Sequence, residues 1–290
     1  MLGPDIILAG IVNGLAAGAV YVLVAVGLTL IYGVLHIVNF AHGSLLMLAM
    51  YAVYFLFARA GLDPYAALPV VAGGAFALGY VLYRGVIGRF AHGKDENILL
   101  ITLGLSIAID NLALFLFTGD TQTIDVAHAQ RMVEFGPLFL PRAKVIAFLA
   151  ALAICAALGI WMARSDTGKA IRAVAKERQG ARLAGIDVDH VFAVSYGIGI
   201  ACLGAAACLL MPSFYVSPSS GHAFVLIAFT TVVLGGMGSF PGALAGGFAI
   251  GVIESLGGLV LGEQLGQIGI SLAFILVLLL RPTGLFGARR

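Results

Sequence analysis

The chain is 290 residues long, 61% hydrophobic and only 10% charged, with a formal net charge of +2 and a mean hydropathy of +1.07. Soluble domains carry roughly 25% charged residues, so this composition excludes a water-soluble globule and points to an integral membrane protein. Apolar runs of about 20 residues recur, enough for a helix to cross ~30 Å of hydrocarbon, whereas a β-barrel would alternate in segments of about ten residues. The expected fold is all-α: a polytopic transmembrane helix bundle of about eight to ten spans, with two broken segments, forming one domain over residues 1–290. No tract of Lys and Arg suggests a nucleic-acid partner.

The first span is expected near 6–31, and no basic region precedes it, so no cleaved signal peptide is expected. An interruption follows at 31–44, IYGVLHIVNFAHGS. Unwound backbone in a bilayer is tolerated only where protein buries it or water reaches it, and transporters place substrate near such breaks. His36, Asn39 and His42 cluster here, and helical spacing would place Asn39 on a face with each histidine. Asn39 and His42 could hydrogen-bond an amino or carboxyl group of a solute, or they could satisfy the broken backbone and set a turn. Without a carboxylate or thiol beside them, no metal site is expected.

Spans near 44–60 and 66–84 come next, then a loop over 84–96. Within it GRFAHGK (88–94) fits the first seven positions of a phosphate-binding loop. Asp95 stands where Ser or Thr should hold magnesium, and the segment joins two membrane spans with no strand before it. No nucleotide site is expected on this chain. The span near 97–118 carries Asp110 beside Asn111, and the span near 242–261 carries Glu254. A charge at a helix centre costs about 2.5–3.5 kcal/mol on insertion scales, so each is read as a buried charge that pairs or lines a wet cavity. The loop 119–142 is the longest segment expected outside, either a connector or a contact for an extracytoplasmic partner.

A span near 144–163 leads to the one strongly charged segment, 164–190. It holds six of the 16 Lys and Arg residues and four acids. Asp166 or Thr167 can cap a helix there, the following residues are good helix formers, and Gly180 is a weak point. Gly185 is placed to end the helix in a left-handed turn, with Ile186 folding back. Ile171, Val174, Ala175 and Arg178 share a face at i, i+3, i+4 and i+7 spacing. A short amphipathic helix of this kind suits docking into a groove on a soluble partner; the plainer alternative is a basic stop at the membrane surface.

Spans near 191–211, 223–237, 242–261 and 265–281 complete the chain, with a second interruption at 234–247, LGGMGSFPGALAGG. The backbone of Gly235, Gly236 and Gly238 is a candidate pathway element with Asn39 and His42. Gly14 and Gly18, Gly238, Gly242 and Gly246, and Gly247 and Gly251 repeat at four-residue spacing, which lets helices approach closely. Cys155, Cys202 and Cys208 fall in apolar spans without metal or disulfide spacing. Nine spans place 84–96, 164–190 and the C-terminal tail on one side. That side is expected to be cytoplasmic, because it collects the Lys and Arg.

The segments YVLVAVGLTLIYGVLHIVNFAHGS (21–44), TGKAIRAVAKERQGARLAGIDVDHV (167–191), FTTVVLGGMGSFPGALAGG (229–247) and RPTGLFG (281–287) carry a family resemblance. The chain resembles the permease subunits of branched-chain amino acid ATP-binding-cassette (ABC) importers, the LivH type, over essentially its whole length. The resemblance implies a transport subunit rather than an enzyme, in the bacterial inner membrane, forming half of a heterodimeric channel with a sister permease. Leucine, isoleucine, valine or a related small polar solute would pass. Two separate ATPase subunits would bind ATP and Mg, this chain holding no cofactor, and a periplasmic solute-binding protein would deliver substrate. Residues 167–186 would be the cytoplasmic coupling loop. Thr167, Gly168, Ala170 and Arg172, the face named above, Leu183 and Gly185 form the expected ATPase contact. A proton- or ion-coupled carrier, supported by Asp110 and Glu254, and a passive channel for a small solute are the competing readings.

Overall fold

A computed structural model describes residues 3–90, 95–126, 129, 131–135, 138–262, 266–281 and 284–286. The helices are α1 (Pro4–Leu35), α2 (His42–Ala60), α3 (Leu68–Gly85), α4 (Asp95–Phe117), α5 (Arg142–Arg164), α6 (Asp166–Lys176), α7 (Arg178–Leu183), α8 (Val188–Leu210), α9 (Ser220–Gly235), α10 (Phe240–Leu261) and α11 (Gly266–Leu280). Among the described residues, seven helices are long and apolar enough to cross a membrane, and α9 and α11 are shorter apolar helices. Each of the nine expected spans thus has its helix, with ends shifted by a few residues.

The expected outer loop adds what helix periodicity does not show. Strands β1 (Met132–Phe135) and β2 (Leu138–Pro141) pair antiparallel, with Val133 opposite Leu140. Gln122 bridges to Val216, tying the same loop to the chain after α8. The 88–94 segment begins in a single 3-10 turn, Ile87–Arg89, and residues 91–94 lie outside the described residues.

Two helices form the centre. α1 has 32 residues, about 48 Å at ~1.5 Å per residue, more than the bilayer needs. Near its N-terminal end Lys144 of α5 donates to Asn13 at 3.0 Å, and at its C-terminal end Arg178 of α7 donates to the Leu35 carbonyl at 2.7 Å. Both α1 and α8 are apolar all round and buried along most of their length, the pattern of a core helix. Exposed apolar side chains sit on the periphery, as with Val81 of α3, Leu149 of α5 and Leu279 of α11.

Hydrocarbon supplies no hydrophobic drive between helices, so close packing of small residues holds them. A Cβ on Gly14 would lie 2.6 Å from the Val252 Cα, one on Gly18 2.8 Å from the Gly247 carbonyl oxygen, and one on Gly251 2.5 Å from the Gly18 Cα. The glycine faces read from the sequence are therefore the α1–α10 seam inside this subunit. Gly242 and Gly246 serve α10 against α9 in the same way.

Overpacking a close seam costs ~1–3 kcal/mol. Gly251→Val should lower the unfolding midpoint of the detergent-solubilised protein by several degrees. Gly73→Ala, in open space on α3, should leave it unchanged or slightly raised. Differential scanning fluorimetry of the two variants reads the contrast.

Candidate functional site

α1 does not simply turn into α2. It ends at His36, a non-glycine residue in the left-handed region (φ 57) whose N–H donates to the Tyr32 carbonyl at 2.7 Å. The chain then runs back beside α1 without helical structure, and α2 starts where His42 Nε2 donates to the Val24 carbonyl at 3.0 Å. Val24 lies eleven residues before Leu35, about 16 Å up the helix at ~1.5 Å per residue. The first turn of α2 is therefore at mid-bilayer depth. α4 supports the break from the other side. The Thr102 hydroxyl accepts from the Phe40 N–H (3.3 Å), and Ser106 pairs with Ser44 (2.8 Å).

This geometry corrects the expectation for Asn39 and His42. They share no helical face, since residues 36–41 are not helical. Both are buried, at 1% and 0% exposure. The Asn39 side-chain oxygen accepts from the Ala41 N–H to set the turn. A carbonyl only accepts, so His42 Nε2 carries the proton. Both side chains help to hold the break together, while Asn39 Nδ2 and His42 Nδ1 have no hydrogen-bond partner among the described residues.

The partner of this break is not the glycine-rich interruption. Gly43 meets Gly221: a Cβ on Gly43 would lie 2.1 Å from the Gly221 carbonyl oxygen. α9 therefore also starts within the bilayer, and residues 211–219 are the second re-entrant segment, with Val216, Ser217 and Pro218 buried. Ser217, Ser219 and Ser220 knit its end through hydroxyl contacts of 3.1–3.2 Å, and Ser220 also accepts from the Ser217 N–H. The sequence signal was there, two prolines and four serines in the ten residues 211–220, beneath an apolar average that hid it.

The 236–239 turn lies instead at the face that carries α6 and α7, where a Cβ on Gly33 would be 3.5 Å from the Gly238 Cα. Gly236 and Gly238 have φ of 100° and 82°, as a left-handed turn requires. The C-terminal segment closes this end of α9: the N–H groups of Leu285 and Phe286 donate to the Leu234 and Gly235 carbonyls at 2.8 and 3.0 Å. Gly235 and Gly236 are buried and Gly238 is exposed. Of the three, Gly238 alone lines a cavity of about 580 Å³, between α1, α5 and α6.

The charged segment forms two helices, not one. Ser165, one residue before the expected caps, accepts from the Gly168 N–H at 2.9 Å. The division falls at Glu177 rather than Gly180, because Glu177 is extended (φ −157°) and its side chain caps α7 by accepting from the Gln179 N–H. Gly185 ends α7 in the left-handed region (φ 82°), with the Ile186 N–H donating to the Ala181 carbonyl, as the sequence suggested. Asp166 is exposed, and its hydrogen bond and charge pairing with Lys169 hold its carboxyl below the usual range.

The apolar face points inward. Gly168, Ile171, Val174 and Ala181 are buried against the bundle, and Ala170, Ala175 and Arg178 are partly covered. The surface left for a partner is the opposite one: Thr167, Lys169, Arg172, Lys176, Gly185 and Leu183, whose side chain is 90% exposed. Two arginines fix the helix pair to the ends of membrane helices. Arg172 donates to the Met162 and Ala163 carbonyls at the end of α5. Arg178 donates to the Leu35 carbonyl, approaches His36 Nδ1 at 3.4 Å and lies 5.2 Å from the Phe192 ring of α8. Cations suit helix C-termini, where carbonyls are unpaired and the dipole is negative.

The intramembrane acids differ. Glu254 of α10 is hydrogen-bonded by Tyr21 of α1 and feels the Lys144 charge, so it is structurally paired. Asp110 of α4 faces His222 of α9, with Oδ2 3.6 Å from Nε2, and its buried Oδ1 has no partner among the described residues.

Two helices that begin beside the middle of α1, and a charged helix pair tied by arginines to the ends of α1 and α5, are the features of a multi-pass membrane protein. The chain belongs to the family described as "Branched-chain amino acid transport system / permease component", which matches residues 10–281. It is 34% identical to the high-affinity branched-chain amino acid transport system permease protein BraD of Pseudomonas aeruginosa, over 96% of this chain and 94% of that one. It is 32% identical to LivH of Escherichia coli K12 (95% and 94%) and 29% identical to the probable LivH permease of Methanocaldococcus jannaschii (99% and 93%). The solved structure of PsaBC from Streptococcus pneumoniae in complex with Fab shares the fold, with a TM-score of 0.52 at 15% identity over 94% of this chain and 92% of that one.

Hydrogen bonds to charged groups contribute ~1.5–3 kcal/mol. Arg178→Ala should therefore speed amide exchange by about ten-fold or more in both 36–41 and 178–187. Hydrogen–deuterium exchange mass spectrometry would detect the coupled loosening; acceleration in 178–187 alone would mean that the arginine does not hold the break.

Proposed function

We propose that this chain is the permease subunit of an ABC importer for branched-chain amino acids in a bacterial inner membrane, forming half of the translocation pathway for leucine, isoleucine and valine. A sister permease supplies the other half. Two ATPase subunits bind ATP and Mg and dock on α6 and α7, and a periplasmic binding protein meets the face that carries the 119–141 loop. α6, α7 and the C-terminus lie in the cytoplasm, in keeping with the Lys and Arg collected on that side.

The observation that carries this reading is the Arg178 link. A push on α7 reaches the end of α1 through Leu35 and His36, and reaches α8 through Phe192. The neighbouring cavity of about 580 Å³ gives α6 room to move against α1 and α5. The unwound 36–41 segment can absorb the change in angle between α1 and α2, so that rocking of the helices opens the pathway to each side in turn. No bond of the solute is made or broken on this chain. A proton-coupled carrier would need a relay of acids, and Glu254 is already engaged by Tyr21 and Lys144.

The deciding experiment is L-leucine uptake into proteoliposomes containing the co-purified complex and its binding protein. Uptake should require ATP, and uptake by this chain alone without ATPase subunits would overturn the proposal. Leu183→Asp places a charge on an exposed contact while leaving the fold intact, since surface substitutions usually shift stability by only about ±0.5 kcal/mol. It should lower ATPase co-purification and uptake by about ten-fold or more, as expected for losing ~1.4 kcal/mol or more of contact energy. Ile171→Asp, buried at 1% exposure, should instead impair folding. Normal co-purification and uptake with Leu183→Asp would remove the docking surface.

A further inference from the structure

The faces that this chain turns outward at hydrocarbon depth are not equivalent. Between their ends, α3, α5 and α11 present no charged or amide side chain. The face shared by α4 and the start of α9 presents Asp110, Asn111 and His222. Asp110 lies fifteen residues into α4, about 22 Å from its start and one turn beyond Ser106, which pairs with Ser44 beside the mid-bilayer break. His222 is in the first turn of α9, whose start meets Gly43. This polar cluster is therefore within the hydrocarbon layer.

An acid there faces protein or water, not lipid. The His222 side chain is 69% exposed and the Asp110 side chain 14% exposed, so the cluster opens outward from the subunit rather than into its core. The carboxylate is also poorly satisfied. Its contact to His222 is 3.6 Å, longer than a hydrogen bond, and Oδ1 has no partner among the described residues. Asn111 spends its Nδ2 on the Ile107 carbonyl at 2.8 Å. Apolar Ile107 on α4 and Leu226 on α9 flank the cluster, an arrangement suited to a small solute with one cationic end and an apolar side chain.

We infer that the α4–α9 face is the wet wall of the translocation pathway and that Asp110 is its cation-binding group, taking the primary ammonium of the solute. The assignment to an ammonium rests on the amino-acid reading above; the wet, cation-preferring wall does not.

Thiol labelling tests the two separately. The native cysteines Cys155, Cys202 and Cys208 are buried, which keeps the background low. In the assembled complex, His222→Cys and Asn111→Cys should react with water-soluble methanethiosulfonates at least ten-fold faster than Leu272→Cys on the apolar face of α11. A trimethylammonium reagent should outpace a sulfonate reagent, and Asp110→Asn should abolish that preference. Failure of both cysteines to label, or a charge preference unaltered by Asp110→Asn, overturns the inference. In parallel, Asp110→Asn should cut kcat/KM for L-leucine uptake about ten-fold or more with co-purification unchanged, and Asp110→Glu should restore part of it. Loss of co-purification in Asp110→Asn would instead make Asp110 a subunit contact and overturn its solute role. Cation-selective labelling in a complex that carries no L-leucine would sustain the wall and strike the amino-acid reading.

Discussion

In hydrocarbon a peptide group left without a partner costs several kcal/mol, and this chain leaves the helix twice inside the bilayer. Much of the rest of the fold follows from covering those two places. The second half of α1 flanks residues 36–41 as they run back beside it. His42 is buried because its ring fastens the new helix to the Val24 carbonyl. α4 turns Thr102 and Ser106 toward the break because Phe40 and Ser44 need partners there. Gly43 and Gly221 are glycines because the two interrupted segments meet backbone to backbone, with no space for a Cβ.

The same constraint explains why charge can act across the membrane boundary. A helix C-terminus at the interface leaves its last carbonyls open, and Arg172 and Arg178 occupy those of α5 and α1. The arginines are at once caps and mechanical ties. Burial of Ile171 and Val174 keeps α6 seated on the bundle, so a partner that presses on the outer surface moves the helix pair as a unit. The open φ/ψ of Glu177 gives that unit a joint between α6 and α7.

The spans were legible in the sequence because hydrocarbon thickness imposes one length on them all, and the glycine faces because close approach admits few residue types. The helix-ending turn at Gly185 was legible for the same stereochemical reason. What the sequence did not show was direction. The periodicity of Ile171, Val174, Ala175 and Arg178 marks an apolar face, yet periodicity is identical whether that face meets a partner or the chain's own bundle. Likewise GGMG and MPSFYVSPSS both signal irregular backbone, and depth in the membrane, which only packing reveals, separates a surface turn from a mid-bilayer break. Asn39 and His42 stand at the break, and each commits one side-chain atom to holding the backbone.

That commitment shapes where a solute can be met. A break in a membrane helix is often read as a binding site because it frees backbone groups. Here Asn39 Oδ1, His42 Nε2, Thr102 and Ser106 tie the first break into a structural knot. Asp110 and His222 lie on the outward surface, where α4 passes the start of α9. Two half-helices that meet start to start keep that surface close to the knot, so any change in the angle between α1 and α2 shifts Gly43 against Gly221, and with them the first turn of α9. Motion that the Arg178 guanidinium passes to the end of α1 can therefore reach Asp110 and His222 through packed backbone.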